Sequence, residues 1–230
     1  MINRLADQGS FFEIKPTHAA NIVVGFARLG GRPVGFVANQ PMVKAGMLDA
    51  AACEKGAHFI ALCDAFGLPL TFLIDVPGFS IGSSAEGSLL GRRSARMIHE
   101  LGIATVPRFS VVLRKGYGLG YIAMCGGRSF GADLAIAWPG AEICAMSVEG
   151  SVDVAYRKDY QSAENPAERR QQLIDAIRAE VSPLQAAAGF GVDDIVRPSQ
   201  TRRRILEALE TAPARHRRLV RTGGRPISPI

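Results

Sequence analysis

The sequence predicts an α/β domain of stacked β-β-α units with C-terminal helices. Three observations carry that prediction. Up to residue 146, short apolar runs alternate with longer segments of helical periodicity. Glycine or proline punctuates most junctions between them. From residue 147 onward the periodicity is helical.

Residues 1–20 read as an entry arm with an apolar patch at Phe11, Phe12 and Ile14. Residues 21–29 and 33–39 are apolar runs separated by Gly30-Gly31, a hairpin signal. Ala52, Lys55, Phe59, Leu62 and Phe66 recur at helical spacing over 49–66, and Gly67 stops that helix. Residues 70–75 form a short apolar strand that runs into 76–84, a loop rich in turn formers. A helix over 89–101 follows. Then come a buried strand at 109–113, a turn holding Gly116, Gly118 and Gly120, and a helix over 120–125. Residues 132–138 and 142–146 read as a strand pair around Pro139-Gly140. Helices follow at 147–156, 166–181, 183–188 and 199–210. With no interior linker, 21–212 make one domain, and 213–230 a basic tail.

Composition excludes several classes. An apolar fraction of 47% with 21% charged residues is globular. No run of eighteen apolar residues exists to span a membrane, and the first residues lack an export signal, so the expected compartment is the cytoplasm. Cys53, Cys63, Cys125 and Cys144 form no C-x-x-C pair and sit in apolar stretches, as small buried hydrophobes do. His18, His58, His99 and His216 are scattered, so no metal site is expected. The net charge of +6 concentrates at Arg202, Arg203, Arg204, Arg215, Arg217, Arg218, Arg221 and Arg225. No aromatic residues interleave with these arginines, which argues for a solvated face and against nucleic-acid binding.

Catalytic motifs with reactive side chains are missing. The chain has no P-loop, no G-x-S-x-G elbow and no completed G-x-G-x-x-G. Asp75, Asp133, Glu142 and Glu149 fall at element ends, where capping and turn roles explain them. Lys115 suits a phosphate contact or a structural role as well as chemistry. What remains is main chain. The glycine-rich turn aims successive N–H groups at a helix start, where partners are lacking and negative charge is favoured. A developing oxyanion suits such a place. A turn needing glycine for backbone reasons alone is the competing reading. A second loop, Val76-Pro-Gly-Phe79, also follows a buried strand and can reach the same sheet edge.

Several segments together resemble one family. They are Phe11-Phe-Glu-Ile14, Asn21-Ile-Val-Val-Gly-Phe-Ala27, Val37-Ala-Asn-Gln-Pro41, Gly56-Ala-His-Phe59 with Cys63-Asp-Ala-Phe66, and Asp75-Val-Pro-Gly-Phe79. Further on come Leu113-Arg-Lys-Gly-Tyr-Gly118, Ala137-Trp-Pro139 with Ala141-Glu142, and Val192-Asp-Asp-Ile195 with Pro198. In this order they resemble the C-terminal half of the carboxyltransferase (β-type) subunit of biotin-dependent acyl-CoA carboxylases. That family includes propionyl-CoA and methylcrotonyl-CoA carboxylases and related decarboxylases.

The resemblance implies a crotonase-like (ClpP/crotonase) fold. It also implies carboxyl transfer between N1-carboxybiotin, carried on a separate carrier protein, and the α-carbon of an acyl-CoA, with no metal in this chain. Backbone N–H groups stabilise the ureido oxygen in this family, and the motif maps them to Leu119 and Gly120. Gly78, Phe79, Tyr117 and Gly118 map to the biotin side. Many relatives read Arg-Lys-Ala-Tyr-Gly-Gly-Ala-Tyr where this chain has Arg114-Lys-Gly-Tyr-Gly-Leu-Gly-Tyr121. Backbone donors tolerate that swap. The next position, acidic in some relatives that favour propionyl-CoA, is Ile122, implied as a substrate-selectivity residue.

The family's N-terminal half, which carries the acyl-CoA surface, has no counterpart in this sequence. The implied partners are therefore an N-terminal carboxyltransferase half and a biotin carboxylase/biotin carrier subunit, in a homo- or hetero-oligomer. Two alternatives stand beside this reading. One is a non-catalytic assembly remnant of the same family. The other is a stand-alone crotonase-type hydratase or isomerase, which needs an acid/base carboxylate that the residues do not supply.

Overall fold

The computed structural model describes residues 1–127 and 131–214. Arg215, Arg217, Arg218, Arg221 and Arg225 of the expected basic tail lie outside the described residues. The chain opens with α1 (Ile2–Leu5), β1 (Phe12–Ile14), β2 (Ile22–Leu29), β3 (Arg32–Asn39), α2 (Ala50–Phe66) and β4 (Leu70–Val76). It continues with α3 (Ser83–Gly87), α4 (Leu90–Ile103), β5 (Arg108–Tyr117), α5 (Gly118–Ala123), β6 (Leu134–Ala137) and β7 (Glu142–Cys144). It closes with α6 (Val148–Ala155), α7 (Arg157–Ser162), α8 (Pro166–Glu180), α9 (Pro183–Ala188), β8 (Asp194–Ile195) and α10 (Thr201–Thr211).

The strands form one sheet in the order β1-β2-β3-β4-β5-β6-β8, with β7 paired to β5. Pairing is antiparallel from β1 to β3 and parallel thereafter. The β2–β3 hairpin turns at Gly30 and Gly31, whose φ angles of 59° and 80° are those a two-residue primed turn demands. Asp7 accepts both of their N–H groups, at 3.0 and 2.7 Å, and pairs with Arg202 of α10 at 2.6 Å. Residues 1–20, expected as an arm, thus carry a sheet strand and a clasp from the hairpin to the last helix.

Side-chain alternation sorts the sheet into two apolar faces. Val34, Phe36, Leu73, Phe109, Val111, Leu134 and Ile136 face α1 and α10, whose Ile2, Leu5, Ile205 and Leu209 cover them. Val37, Leu70, Phe72, Ile74, Val112, Ala135 and Ala137 face the other way, toward α2 and α4. Every residue of β4 is buried, as expected of a central strand covered on both sides.

Helix α2 begins at Asp49, whose carboxylate accepts the Ala52 N–H at 2.9 Å, and ends at Gly67 with φ 71°. Its apolar stripe is broader than the spacing predicts. Cys53, Ala57, Ile60 and Cys63 are buried beside Phe59, whereas Phe66 is 72% exposed. Lys55 is buried and donates to the carbonyls of His18 and Ile22 at 2.8 and 2.9 Å, so it serves as a strut for the arm.

Two local expectations need correcting. Residues 132–138 and 142–146 do not pair with each other. β6 lies along residues 109–112 of β5, and β7 lies along residues 115–117 of the same strand. The Pro139-Gly140 segment is a step along one edge of β5, since both strands run parallel to it. The 76–84 loop is also cut short, because α3 begins at Ser83 within it.

Helices α6, α7 and α8 form a lobe with its own small core of Val148, Val152 and Ile174. Ion pairs hold its surface: Arg170 with Asp153 at 2.7 Å, Arg169 with Asp159 at 2.8 Å and Arg178 with Glu149 at 2.5 Å.

Candidate functional site at the strand ends

The parallel strands β4 and β5 end at the same sheet edge, where open α/β sheets take their ligands. β5 is longer than the apolar run predicts. Pairing with β7 carries it through Lys115 and Gly116 to Tyr117, and α5 starts at once with Gly118. The expected turn over 116–120 is therefore compressed to one residue. Gly118 sits at φ 56°, and a Cβ there would come 2.7 Å from the Ala145 carbonyl oxygen. Only glycine satisfies both conditions.

Two residues on, Gly120 lies against the second loop. A Cβ on Gly120 would come 2.9 Å from both Cα and C of Gly78 and 3.2 Å from a Val76 methyl. Loop 76–80 is itself fixed. The Leu48 N–H donates to Gly78 O at 3.1 Å, and the Ser80 N–H donates to Leu48 O at 2.9 Å. Gly78 has φ 130°, and the space where its side chain would stand is open. Leu119 and Gly120 are the second and third residues of α5, too early to donate within their helix. Among the described residues, neither N–H donates to an acceptor outside it. Gly120 is buried, while the Leu119 side chain is 56% exposed.

A charged brace joins the two strand ends. Asp75, buried at the end of β4, accepts from Arg114 Nε at 3.2 and 3.3 Å and from the Lys115 N–H at 3.4 Å. Its own N–H donates to Asn39 Oδ1 at 3.2 Å, while Asn39 Nδ2 donates to Gly46 O at 3.2 Å. Lys115 Nζ stands 3.8 Å from Asp75 and adds a second positive charge to the brace. A second tie crosses from β5 to β7, where the Tyr117 hydroxyl donates to Glu142. Burial, reinforced by the Glu142 carboxylate, pushes the Tyr117 phenol above its ordinary range. Burial does the same to Tyr121, whose ring occupies the space beside Gly116.

The structure brings Gly78, Phe79, Tyr117, Gly118, Leu119 and Gly120 to one edge. Phe79 is half-buried and packs against the large core, with a bridge from Leu48 alongside. Ile122 is also half-buried against that core, so its side chain is partly engaged in packing. The acidic residues read as caps have other partners. Asp75 and Glu142 brace the strand ends, Asp133 accepts the N–H of buried Arg108 at 2.8 Å, and Glu149 pairs with Arg178. Sequence reasoning missed Asn39, Leu48, Glu142 and Ala145 as supports. Asn39 and Glu142 stand inside segments singled out above, and their polarity beside apolar runs is the signal. Leu48 and Ala145 act through backbone atoms and leave none.

Cys53, Cys63 and Cys125 are buried, and burial pushes the Cys53 and Cys125 thiols up to about 12. Cys144 departs from that expectation. It is half-buried, and its thiol is pushed up to about 11 by burial and by Glu142. Among the described residues no group of three or more His, Cys, Asp or Glu is arranged to hold a metal ion. No helix among them is long and apolar enough to cross a membrane.

Comparison with known proteins gives this geometry its family. The model of the carboxyl transferase domain matches residues 1–225. The methylmalonyl-CoA carboxyltransferase 12S subunit of Propionibacterium freudenreichii subsp. shermanii is 45% identical over 211 residues, covering 91% of this chain and 40% of the relative. The propionyl-CoA carboxylase carboxyltransferase subunit of Haloferax mediterranei is 44% identical over 210 residues, with coverage of 91% and 40%. The crystal structure of transcarboxylase 12S, a hexamer with methylmalonyl-CoA and methylmalonic acid bound, superposes with a TM-score of 0.91 at 43% identity, covering 97% of this chain and 43% of that one. A single-chain, multi-domain long-chain acyl-CoA carboxylase superposes with a TM-score of 0.82 at 36% identity, covering 90% and 20%. The chain thus spans about 40% of the length of the curated relatives it matches. The fold is the crotonase-like one that the resemblance implies. From the hairpin clasp to the paired glycines at the strand ends, the chain belongs to the carboxyl transferase domain family.

Proposed function

We propose that this chain is the biotin-side half of an acyl-CoA carboxyltransferase, working with a separate N-terminal half. The observation that carries the reading is the pair of adjacent N–H groups at Leu119 and Gly120, without acceptors and set against the Gly78 loop. N1-carboxybiotin, on a separate carrier, supplies the carboxyl group when bound. The chain's part is to hold the ureido oxygen, where negative charge collects as the carboxyl group leaves. Leu119 and Gly120 donate to that oxygen from fixed backbone. Removing one such donor typically lowers the rate by about 10²–10³. Gly78, Phe79, Tyr117 and Gly118 line the biotin side, and Ile122 bears on acyl selectivity.

The open space beside Gly78 supports a ligand approaching that loop at the sheet edge. Shared identity with relatives named as carboxyltransferase subunits supports the reaction class. The acyl-CoA, a biotin carboxylase/biotin carrier subunit and an oligomeric assembly belong to the same reading. This chain spans about 40% of the length of those relatives, and the N-terminal half belongs to the same reading.

The test mixes purified chain with an N-terminal carboxyltransferase half, free biotin and malonyl-CoA or methylmalonyl-CoA. Biotin-dependent decarboxylation is expected from the mixture and from neither part alone. Turnover by this chain alone would overturn the half-site reading. Silence of a mixture that forms a stable complex would leave an assembly role in its place.

A further inference from the structure

The turn that presents Leu119 and Gly120 pivots on Gly118, a residue at φ 56° with no Cβ of its own to hold the backbone to that angle. Its aim must therefore be set from both sides. On the far side Gly120 rests on the Gly78 backbone. On the near side the last fixed residue is Tyr117, and the only side-chain hydrogen bond described for it goes to Glu142.

Glu142 stands on a rigid base. It opens β7, opposite Lys115, with buried Ala141 before it. The Ala141 N–H donates to Trp138 O at 3.0 Å, and the Trp138 N–H donates to Val112 O at 2.9 Å. Trp138 Nε1 donates to Thr201 Oγ1 at 2.9 Å, and Thr201 is fully buried in α10. The carboxylate is thus referenced, through residues 138–141, to the middle of β5 and to the C-terminal helix as well as to the strand end it steadies.

From this we infer that Glu142 is a positioning residue. By accepting the Tyr117 hydroxyl across the β5–β7 seam, it fixes the strand end and so aims the Leu119 and Gly120 N–H groups. Functional meaning for this aim rests on the biotin-side reading above. The positioning itself does not.

The experiment uses the full chain, ¹⁵N-labelled, with biotin methyl ester as the probe. Glu142→Ala and Tyr117→Phe are expected to shift the Leu119 and Gly120 amide resonances and to weaken the ester about tenfold, as loss of one charge-assisted hydrogen bond does. Amides of Leu73 and Val111, deep in the sheet, should stay in place and certify the fold. Glu142→Gln keeps an oxygen that accepts the phenol proton and should restore both readouts. The inference is overturned if Glu142→Ala leaves the Leu119 and Gly120 resonances unmoved, or if Glu142→Gln behaves like Glu142→Ala. A wild-type chain whose amides ignore the ester would overturn the biotin-side reading instead, while the variant shifts still judge Glu142.

Discussion

Gly120 lies directly on the backbone of Gly78, so close that a Cβ on Gly120 would stand 2.9 Å from that residue's Cα. This contact joins the ends of two neighbouring strands into one surface. The contact cannot give way cheaply on the Gly120 side, because the atoms that a Cβ there would meet are main chain.

Enlarging residue 120 should therefore pry the loops apart. Gly120→Val is expected to destabilise the chain by about 1–3 kcal/mol, the usual range for overpacking. Urea denaturation of the two proteins measures it, and equal midpoints would show that the contact is slack.

Leu119 offers the cleanest separation of backbone from side chain. Proline is tolerated in the first turn of a helix, so Leu119→Pro removes the N–H with little cost to α5. Carboxyl transfer in the reconstituted assembly should fall about 10²–10³-fold. Leu119→Ala, which trims an exposed side chain and keeps the donor, should stay near wild type. Equal damage from both would mean that the side chain carries the role.

Asp75 braces β4 to β5 through Arg114 and the Lys115 N–H. Asp75→Ala is expected to cost about 1–3 kcal/mol, since it removes a buried carboxylate that accepts from Arg114 and from the Lys115 N–H. Asp75→Asn should cost less, because one oxygen remains. Chemical denaturation of the pair checks the order, and a reversed order would locate the stability elsewhere.

The Asp7 clasp gives a pH dependence of known sign. Hydrogen bonds from Arg202, Gly31 and Gly30 hold its carboxyl at about 2, below the ordinary 3.8. A depressed folded-state value means that the charged form is the stabilised one. The contribution is complete above 3.8 and disappears as pH falls through about 2. The stability difference between wild type and Asp7→Asn should follow that course in urea titrations at stepped pH. A difference that keeps its full size as pH falls through about 2 would sink the assignment.

Most of the sheet was legible because burial leaves a periodic trace. The hairpin at Gly30-Gly31, the cap at Gly67 and the central strand β4 all declare themselves through glycine placement or apolar runs. The end of β5 did not. Arg114, Lys115 and Gly116 read as loop, because polar residues and glycine argue against a strand, yet pairing with β7 extends it to Tyr117. The same non-local pairing hid the arrangement of β6 and β7, since adjacency in sequence suggests a hairpin and says nothing of a shared neighbour. The candidate site was legible where its chemistry requires glycine. Its braces, Asn39, Asp75 and Glu142, work through partners 25 to 40 residues away, and spacing along the chain cannot reveal them.

The division of β5 between two neighbours makes the rim genetically separable from the framework. Residues 109–112 are zipped to β6, and residues 115–117 to β7, with 138–141 as the only connection. Deleting one residue from that connection would roll β7 over and turn Glu142 to the opposite face, while the β5–β6 ladder kept its register. Such a lesion would keep the central ladder while taking away the Tyr117–Glu142 tie at the strand end.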